Sequence, residues 1–588
     1  MGVSPAIFES AGQRSEHYVP GVYGRSFNVS SPSGISAGNL CILGKSNGGE
    51  PHKMLEFGGL AEAQEVLGGG ELLDAIAYAF SASNTYVPQR VFAMRVNNGT
   101  QSSVTLQSGA TDIMTVKSWD WGLQTNQLKI QIANGTVANS KMIKTAYKDK
   151  TQTVDNIVNA ALEIYYLGDG VTPTVTVGSD SITLGAMTDP EEPDTPEPVD
   201  TLTVSFADFD TLDALITRIN EDSSEAWGVN IVGNNNNLKS AKLDTITNTS
   251  VEETGTVLYA NFDSFVTALE SMEFIGSVEL LSTTTRAVPD NTESWIYFTG
   301  GSAGSYGNQQ WIDALTALET EDVQIIATPS SDAGVHSSIS DHCTRMSNVI
   351  NRKERTAILG GTVGMTDSAA IAEAQELKNK LISFCCDNPI KINLLTGNTE
   401  TLSGAMLGVM LASMESAMSP NTPLTFKQLN VLGFTKIRNV TNITNLIKAG
   451  VLVCNSNPEN LSEYICIRGL TTFQGDDLIN NERSMVREDL FMNRDLRAQF
   501  RPSIGTAGTR DNPIVSPNAA VTTLKDRAKE WATNGYIIPS DSNENVWDIK
   551  VRVNGDKTYI TYSRFLTAPV NFVFITAINH IYTSTVEL

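Results

Sequence analysis

The sequence predicts a multidomain chain of α/β and α+β class: an α/β middle domain with crossover helices, a β-rich insertion, and an α+β C-terminal domain with extended terminal arms. Three observations carry this expectation. Short apolar runs alternate with helical periodicity over 39–96 and again over 295–416, the pattern of a sheet covered by helices. The text between them is rich in Thr, Asn and Asp and contains DPEEPDTPEPVD (189–200), where six acids and four prolines leave nothing to pack. Beyond 422 the order changes to strands, then two helices, then a hairpin signal. At 588 residues there is room for about three or four domains.

Residues 1–33 read as an N-terminal arm, since PGVY and RSFNVSSPSG show no helical period. A discontinuous α/β domain takes 34–135 plus 291–421. In it NLCILGKS is a buried strand, Gly68-Gly69-Gly70 divides the next stretch into two helices, and RVFAMRV (90–96) is the second strand. IMTVKSWDW and QLKIQIANG alternate as half-buried strands and are assigned to the same domain. Residues 136–290 form the inserted, surface-exposed β-rich region. After it, strands VQIIATP (323–329), TAILGG (356–361) and IKINLLTG (390–397) are separated by helices at 333–351 and 368–384. Such repeats imply parallel strands joined by crossovers. SGAMLGVMLASMES (403–416) adds a helix with small residues.

The C-terminal domain, 422–565, opens with strands in TFKQLNVLGF, GVLVCNSN and EYICIRGLTTF. Helices follow at about 477–500 and 518–534, the second stopped by Asn534-Gly535. WDIKVRV then alternates strictly, and Asn554-Gly555 calls for a type I′ hairpin turn before TYITYS. Residues 566–588 are a C-terminal arm. Its stretch VNFVFITAINHIYTSTVEL is apolar and β-prone, with no Lys, Pro or bulge to blunt a free edge.

The net charge of −24 argues against nucleic acid as a partner and suits a protein soluble at high concentration. No run is long and apolar enough to span a membrane, and the N-terminal residues lack a secretory pattern. Six scattered cysteines (41, 343, 385, 386, 454, 466) fit reduced thiols.

Chemistry-bearing motifs are weak. GGSAGSYG (300–307) lacks the Lys-Ser/Thr ending of a phosphate loop and the spacing of a dinucleotide fingerprint, so it reads as a structural loop. His336, His342 and Cys343 share a helix at offsets that do not place a metal-binding pair on one face. No Ser sits in a G-x-S-x-G elbow. No catalytic residue, metal or cofactor is assigned. One arrangement stands out: Arg483, Arg487, Arg494, Arg497 and Arg501 fall within about 40° of one line at about 100° per residue. They form either local pairs with acids of the same chain or a guanidinium ridge facing an acidic partner. The next helix offers Lys525, Arg527 and Lys529 outside its apolar face.

The arm with PGVY, the GELLDAI run followed by RVFAMRV, the FTGGSAG turn ahead of an α/β section, and the strand–helix C-terminal domain occur in an order that resembles the contractile tail sheath proteins of tailed bacteriophages. The resemblance covers most of the chain outside 136–290. It implies a non-enzymatic structural subunit, without cofactor or membrane insertion, that stacks as hexameric rings around a tail tube. It further implies baseplate and tail terminator proteins as partners, assembly in the host bacterial cytoplasm, a place in the virion tail, and contraction that drives the tube through the host envelope. In that family both arms add strands to neighbouring subunits. Carried over, Val22, Tyr23, Phe27 and Val29, with Phe572, Val573, Phe574 and Ile575, are inter-subunit strands. Trp547, Ile549, Val551, Val553, Tyr559 and Ile560 form the receiving hairpin, and the basic residues named above are candidate tube or neighbour contacts. Two rival classes stay open: a surface adhesin or capsid-type shell protein, and an enzyme with a site at the carboxyl ends of the parallel strands.

Overall fold

The computed structural model describes residues 38–189, 195–222, 225–504, 516–554 and 556–579, with the backbone of two short strands, Ala6–Ser10 and Gln13–His17. The chain divides into two compact units, Asn39–Met418 with Pro423–Arg483, and Met1–Gly38 with Ser419–Thr422 and Ser484–Leu588.

The first unit is built on an eight-stranded sheet. Its strands are β1 (Leu40–Gly44), β2 (Met54–Phe57), β3 (Val91–Arg95), β4 (Ile325–Ala327), β5 (Thr356–Gly360), β6 (Ile382–Cys385), β7 (Val451–Ser456) and β8 (Tyr464–Arg468), in the order β8-β7-β6-β5-β4-β1-β3-β2. The six inner strands are parallel, and β2 and β8 close the edges antiparallel. Strands such as LCILG and TAILG are buried at every residue, as a sheet covered on both faces requires.

The covering helices are α1 (Leu60–Leu67), α2 (Glu71–Phe80), α3 (Asn308–Leu318), α4 (Ala333–Met346), α5 (Asp367–Leu377), α6 (Gly404–Ser416) and α7 (Val440–Lys448). Side chains of Asp332, Thr366, Ser403 and Asn439 accept from the first-turn amides of α4, α5, α6 and α7. α6 is buried almost throughout, and its glycines let it lie on the sheet. A Cβ on Gly360 would stand 2.1 Å from the Gly404 carbonyl oxygen.

The long crossover from β3 to β4 holds two further cores. In the outer one, Gln101–Ser108, Thr111–Trp121 and Ile275–Leu280 form one sheet. Lys129–Asn134, Lys141–Tyr147, Lys150–Ile157 and Ile296–Tyr297 form a second. Both enclose Phe262 and Phe265 of helix Asn261–Glu270. The inner core, nested within 160–260, packs two antiparallel sheets and helix Leu212–Asn220 around Trp227, Phe206 and Leu215. The last residues of the acidic stretch, Pro198 to Asp200, begin strand Pro198–Ser205, which pairs antiparallel with Ser181–Met187.

Four expectations are corrected. Strands of 101–134 share sheets and core with the insertion rather than with the central sheet. Their polar–apolar alternation needs an antiparallel sheet with one wet face. The helix expected over 368–384 ends at Leu377, where Lys378 takes φ 37°, and ISFC becomes β6. The run after it, Pro389–Ile392, joins a separate antiparallel sheet instead of the parallel one. Finally, β7 and β8, expected in the C-terminal domain, extend the central sheet, because α7 and β7 form one more crossover.

The second unit holds most of helix α8 (Arg483–Phe500), helix α9 (Pro517–Thr533), and the hairpin of β9 (Trp547–Asn554) with β10 (Lys557–Ser563). Phe491, Met492, Leu524, Ala528, Trp531, Ile537 and Val546 form its core.

Arg483, the first residue of α8, lies in the first unit at 2% exposure. Its Nε and Nη2 donate to the Glu415 carboxylate at 2.8 and 2.7 Å. Its other hydrogens reach the Ala357 carbonyl, Ser383 Oγ and Thr356 Oγ1 at 3.0–3.1 Å. Every guanidinium donor is therefore satisfied away from water. Glu415→Ala strands this charge and should cost about 3–5 kcal/mol in chemical denaturation, whereas the double replacement Glu415→Leu with Arg483→Met should recover most of the loss.

Candidate interaction surfaces

The order of the parallel strands reverses between β1 and β4. In a doubly wound sheet that point opens the crevice in which ligands bind. Here the chain fills it. Tyr306 lies beside Lys45, which follows β1; Lys45 Nζ stands 4.8 Å above its ring, and its hydroxyl donates to Glu71 Oε1 at 3.0 Å. Pro329, after β4, is close enough to Gly44 that an added Cβ would meet it at 3.2 Å. The glycine-rich loop 300–307 is tied across the same edge. Arg95 and Asn97 both donate to the Ala303 carbonyl, at 3.1 and 2.7 Å, and Asn98 accepts from the Ser305 amide at 2.7 Å. Gly304 has φ 76°, and a Cβ there would stand 2.3 Å from the Asn98 backbone. The loop is a structural clasp.

His336 and His342 are interior polar links. His336 has the Ser330 carbonyl at Nε2 (3.0 Å) and Glu373 at Nδ1 (2.5 Å). His342 accepts from Arg355 Nη1 at 2.5 Å; burial first, then the adjacent arginine, push its pKa down to about 3. Among the described residues no cluster of His, Cys, Asp or Glu could hold a metal ion.

In the second unit a polar network holds the two helices and the last strand together. Asp495, almost fully buried, accepts from Arg527 Nη2 at 2.8 Å and Trp531 Nε1 at 2.6 Å. Arg564 donates to Asp489 at 2.6 Å and stacks over Trp531 and Tyr562. Phe565–Leu566 pair antiparallel with Ile537–Ile538, and Thr567 donates its amide to the Tyr536 carbonyl and its hydroxyl to that of Gly535. After Thr567 the chain enters no strand pairing among the described residues. Phe572, Val573, Phe574 and Ile575 are 66%, 75%, 92% and 86% exposed. The rings of Phe572 and Phe574 stack at 6.3 Å with planes 11° apart, so alternate side chains share one side, as along an extended strand.

The expected hairpin is present, with Asn554 paired to Lys557. Ile549, Ile560 and Tyr562 pack on the core, whereas Val553 and Tyr559 are exposed and Trp547 and Val551 half-buried. Tyr559 sits on the outer face under Arg552. Among the described residues, β9 and β10 form a two-stranded sheet with no further strand at either edge.

The basic residues do not form one ridge. Arg483 and Arg487 are buried, which corrects them from surface contacts to interior residues, and the half-buried Arg527 is engaged with Asp495 and Glu530. The stripe was read on helical angle alone, and this face of α8 turns inward at its start. Arg494 and Arg497 are half-buried; Arg501, Lys525 and Lys529 are exposed. Val22, Tyr23, Phe27 and Val29 lie outside the described residues. Sequence reasoning missed Asp495, Asp489 and Tyr306 as organising residues. Trp531 on the apolar face of α9 was the one available signal for the Asp495 network, since a buried indole N–H needs an acceptor.

No protein-family model matches the chain. The chain is 24% identical to the tail sheath protein of Bacillus phage SP01, over 96% of its own length and 95% of that relative. It is 23% identical to the tail sheath protein of Staphylococcus phage Twort, over 91% and 93%. Among solved structures it resembles the sheath tail protein of Listeria innocua with a TM-score of 0.55 at 12% identity, covering 91% of this chain and 96% of the other. The sheath tail protein of Desulfitobacterium hafniense gives 0.50 at 13% identity, covering 93% and 100%. The relatives are thus phage tail sheath proteins, and the fold is that of sheath tail proteins.

Glu488 of α8 is fully buried. Burial pushes its pKa up to about 8; the Thr567 amide and Arg564 pull it down by less, and Asp489 adds to the rise. A carboxyl with a raised folded pKa stabilises the fold below its unfolded value near 4.5, and that contribution is lost as pH rises toward 8. Glu488→Gln should flatten this loss, by up to about 1.4 kcal/mol per pH unit, in urea denaturation followed from pH 5 to 9.

Proposed function

We propose that this chain is the subunit of a contractile phage tail sheath. The observation that supports it most is the solvent exposure of Val573, Phe574 and Ile575, an apolar run in the same unit as a hairpin that, among the described residues, has no further strand at either edge. An isolated two-stranded sheet and a solvated apolar strand are each poor final states, and pairing between copies resolves both. The arm 566–588, and the arm 1–33 with Val22, Tyr23, Phe27 and Val29, add strands to the hairpins of neighbouring copies. Each added strand makes about four to six backbone hydrogen bonds, each worth about 0.5–1.5 kcal/mol net. One link is modest, and many links in a lattice act together.

In this reading the copies stack as hexameric rings around a tail tube, between baseplate and terminator proteins, after assembly in the host cytoplasm. The C-terminal domain faces the tube and the acidic insertion faces outward. Contraction moves subunits as rigid bodies while the arms stay paired, and new lateral contacts lower the free energy without a nucleotide. Arg501, Lys525 and Lys529, cations on a chain of net charge −24, contact the tube or a neighbour. The enzyme reading has less support, because the crevice it needs is occupied by Tyr306.

Electron microscopy of the purified full-length chain tests the assignment: hollow cylinders of uniform diameter are expected, and discrete particles at high concentration contradict it. Lys525→Glu combined with Lys529→Glu should reduce assembly on tail tubes while changing stability by no more than about 0.5 kcal/mol per site. Unchanged assembly would remove these lysines from the interface.

A further inference from the structure

Four of the six cysteines stand on three adjoining strands of the central sheet or just beyond one of them, yet their thiols are not equivalent. Cys385 donates its thiol to the Gly404 carbonyl at 3.1 Å. Cys386 lies against Arg438 Nη2 at 3.5 Å. Cys454 of β7 and Cys466 of β8 instead face each other across the antiparallel pair, next to the bulge at Val453, and their thiols contact one another. The backbone of Cys466 is engaged on its other side: its amide donates to the Lys427 carbonyl, and its carbonyl accepts from the Phe426 amide. The Cys454 amide donates to Asp387 Oδ2 at 2.8 Å. The two residues therefore do not exchange backbone hydrogen bonds. Such narrow pairs hold their Cα atoms about 4.5 Å apart with side chains on one face, within the about 4.4–6.8 Å that a disulfide spans.

We propose that Cys454 and Cys466 are a latent cross-strand disulfide, closed by a small oxidant such as hydrogen peroxide. One thiol takes an oxygen from the peroxide to become a sulfenic acid, releasing water. The other thiol attacks that sulfur, the S–S bond forms, and a second water leaves; the peroxide is reduced by the two electrons the thiols lose. The bridge ties edge strand β8 to β7 and closes the loop 455–465. Both side chains are almost wholly buried, and burial holds the Cys454 thiol well above its ordinary pKa, so thiolate is scarce and closure is slow. The timing rests on the sheath reading: a subunit made in a reducing cytoplasm stays open and closes after the particle leaves the cell. The geometry does not depend on that reading.

The test uses the reduced full-length protein, exposed to hydrogen peroxide, denatured, alkylated and digested without reductant. The expected product is a peptide pair joining Cys454 to Cys466, two hydrogens lighter than the sum of its parts. It should vanish in Cys454→Ala and in Cys466→Ala and persist in Cys385→Ala. Both thiols alkylated after exhaustive oxidation, or a bridge from either to Cys385 or Cys386, would overturn the proposal. Cylinder formation is scored on the reduced sample, so a failure of the sheath reading shows there and leaves the disulfide result standing.

Discussion

Every backbone N–H and C=O in an extended segment needs a partner, and apolar side chains on that segment need cover. Most of this chain meets both demands internally. The inner strands of the central sheet pair on both sides, and α4, α5, α6 and α7 each start with a side-chain cap. The C-terminal segment leaves Val573, Phe574 and Ile575 exposed and, among the described residues, outside any strand pairing. It is anchored through Thr567, beside a network of Asp489, Arg564, Trp531 and Asp495, and then runs exposed with four large apolar residues in succession. The hairpin β9–β10 has the complementary deficiency: a well-packed base and, among the described residues, no further strand at either edge. The proposed lattice follows from satisfying these two deficits with each other.

The first unit is densely paired around its central sheet. The site a parallel sheet offers at its strand reversal is occupied by Tyr306, Lys45 and Glu71, and roofed by a glycine loop held by Arg95 and Asn97. Arg483 commits every guanidinium donor, two of them to Glu415, and Arg355 donates to His342 and to the Leu318 and Glu321 carbonyls. Such networks tolerate little rearrangement, because each broken bond leaves a buried charge without compensation. A block of this kind suits a subunit that moves as a whole.

The sequence was most legible where one physical rule dominated. Short, mostly apolar runs such as LCILG, VFAMR and TAILG could be little other than buried strands, and Gly68-Gly69-Gly70 and Asn554-Gly555 marked a helix break and a hairpin. It was least legible where local pattern was ambiguous. LISFCC continued a helical period and became a strand once Lys378 ended α5. The alternating strands of 101–134 gave their conformation away but not the core they join. The arginine stripe illustrates a deeper limit: helical angle places side chains on one face, and only tertiary packing decides whether that face looks out. Arg483 looks inward because Glu415, far away in sequence, waits there. The apolar run at the C-terminus was legible as a segment without edge protection, and the structure shows Val573, Phe574 and Ile575 exposed.

The most direct measurement compares the full-length chain with one lacking Val570–Leu588, by sedimentation and electron microscopy under identical conditions. The account predicts a shortened protein with unchanged circular dichroism that remains monomeric while the intact chain builds cylinders. Normal cylinders from the shortened protein would contradict it.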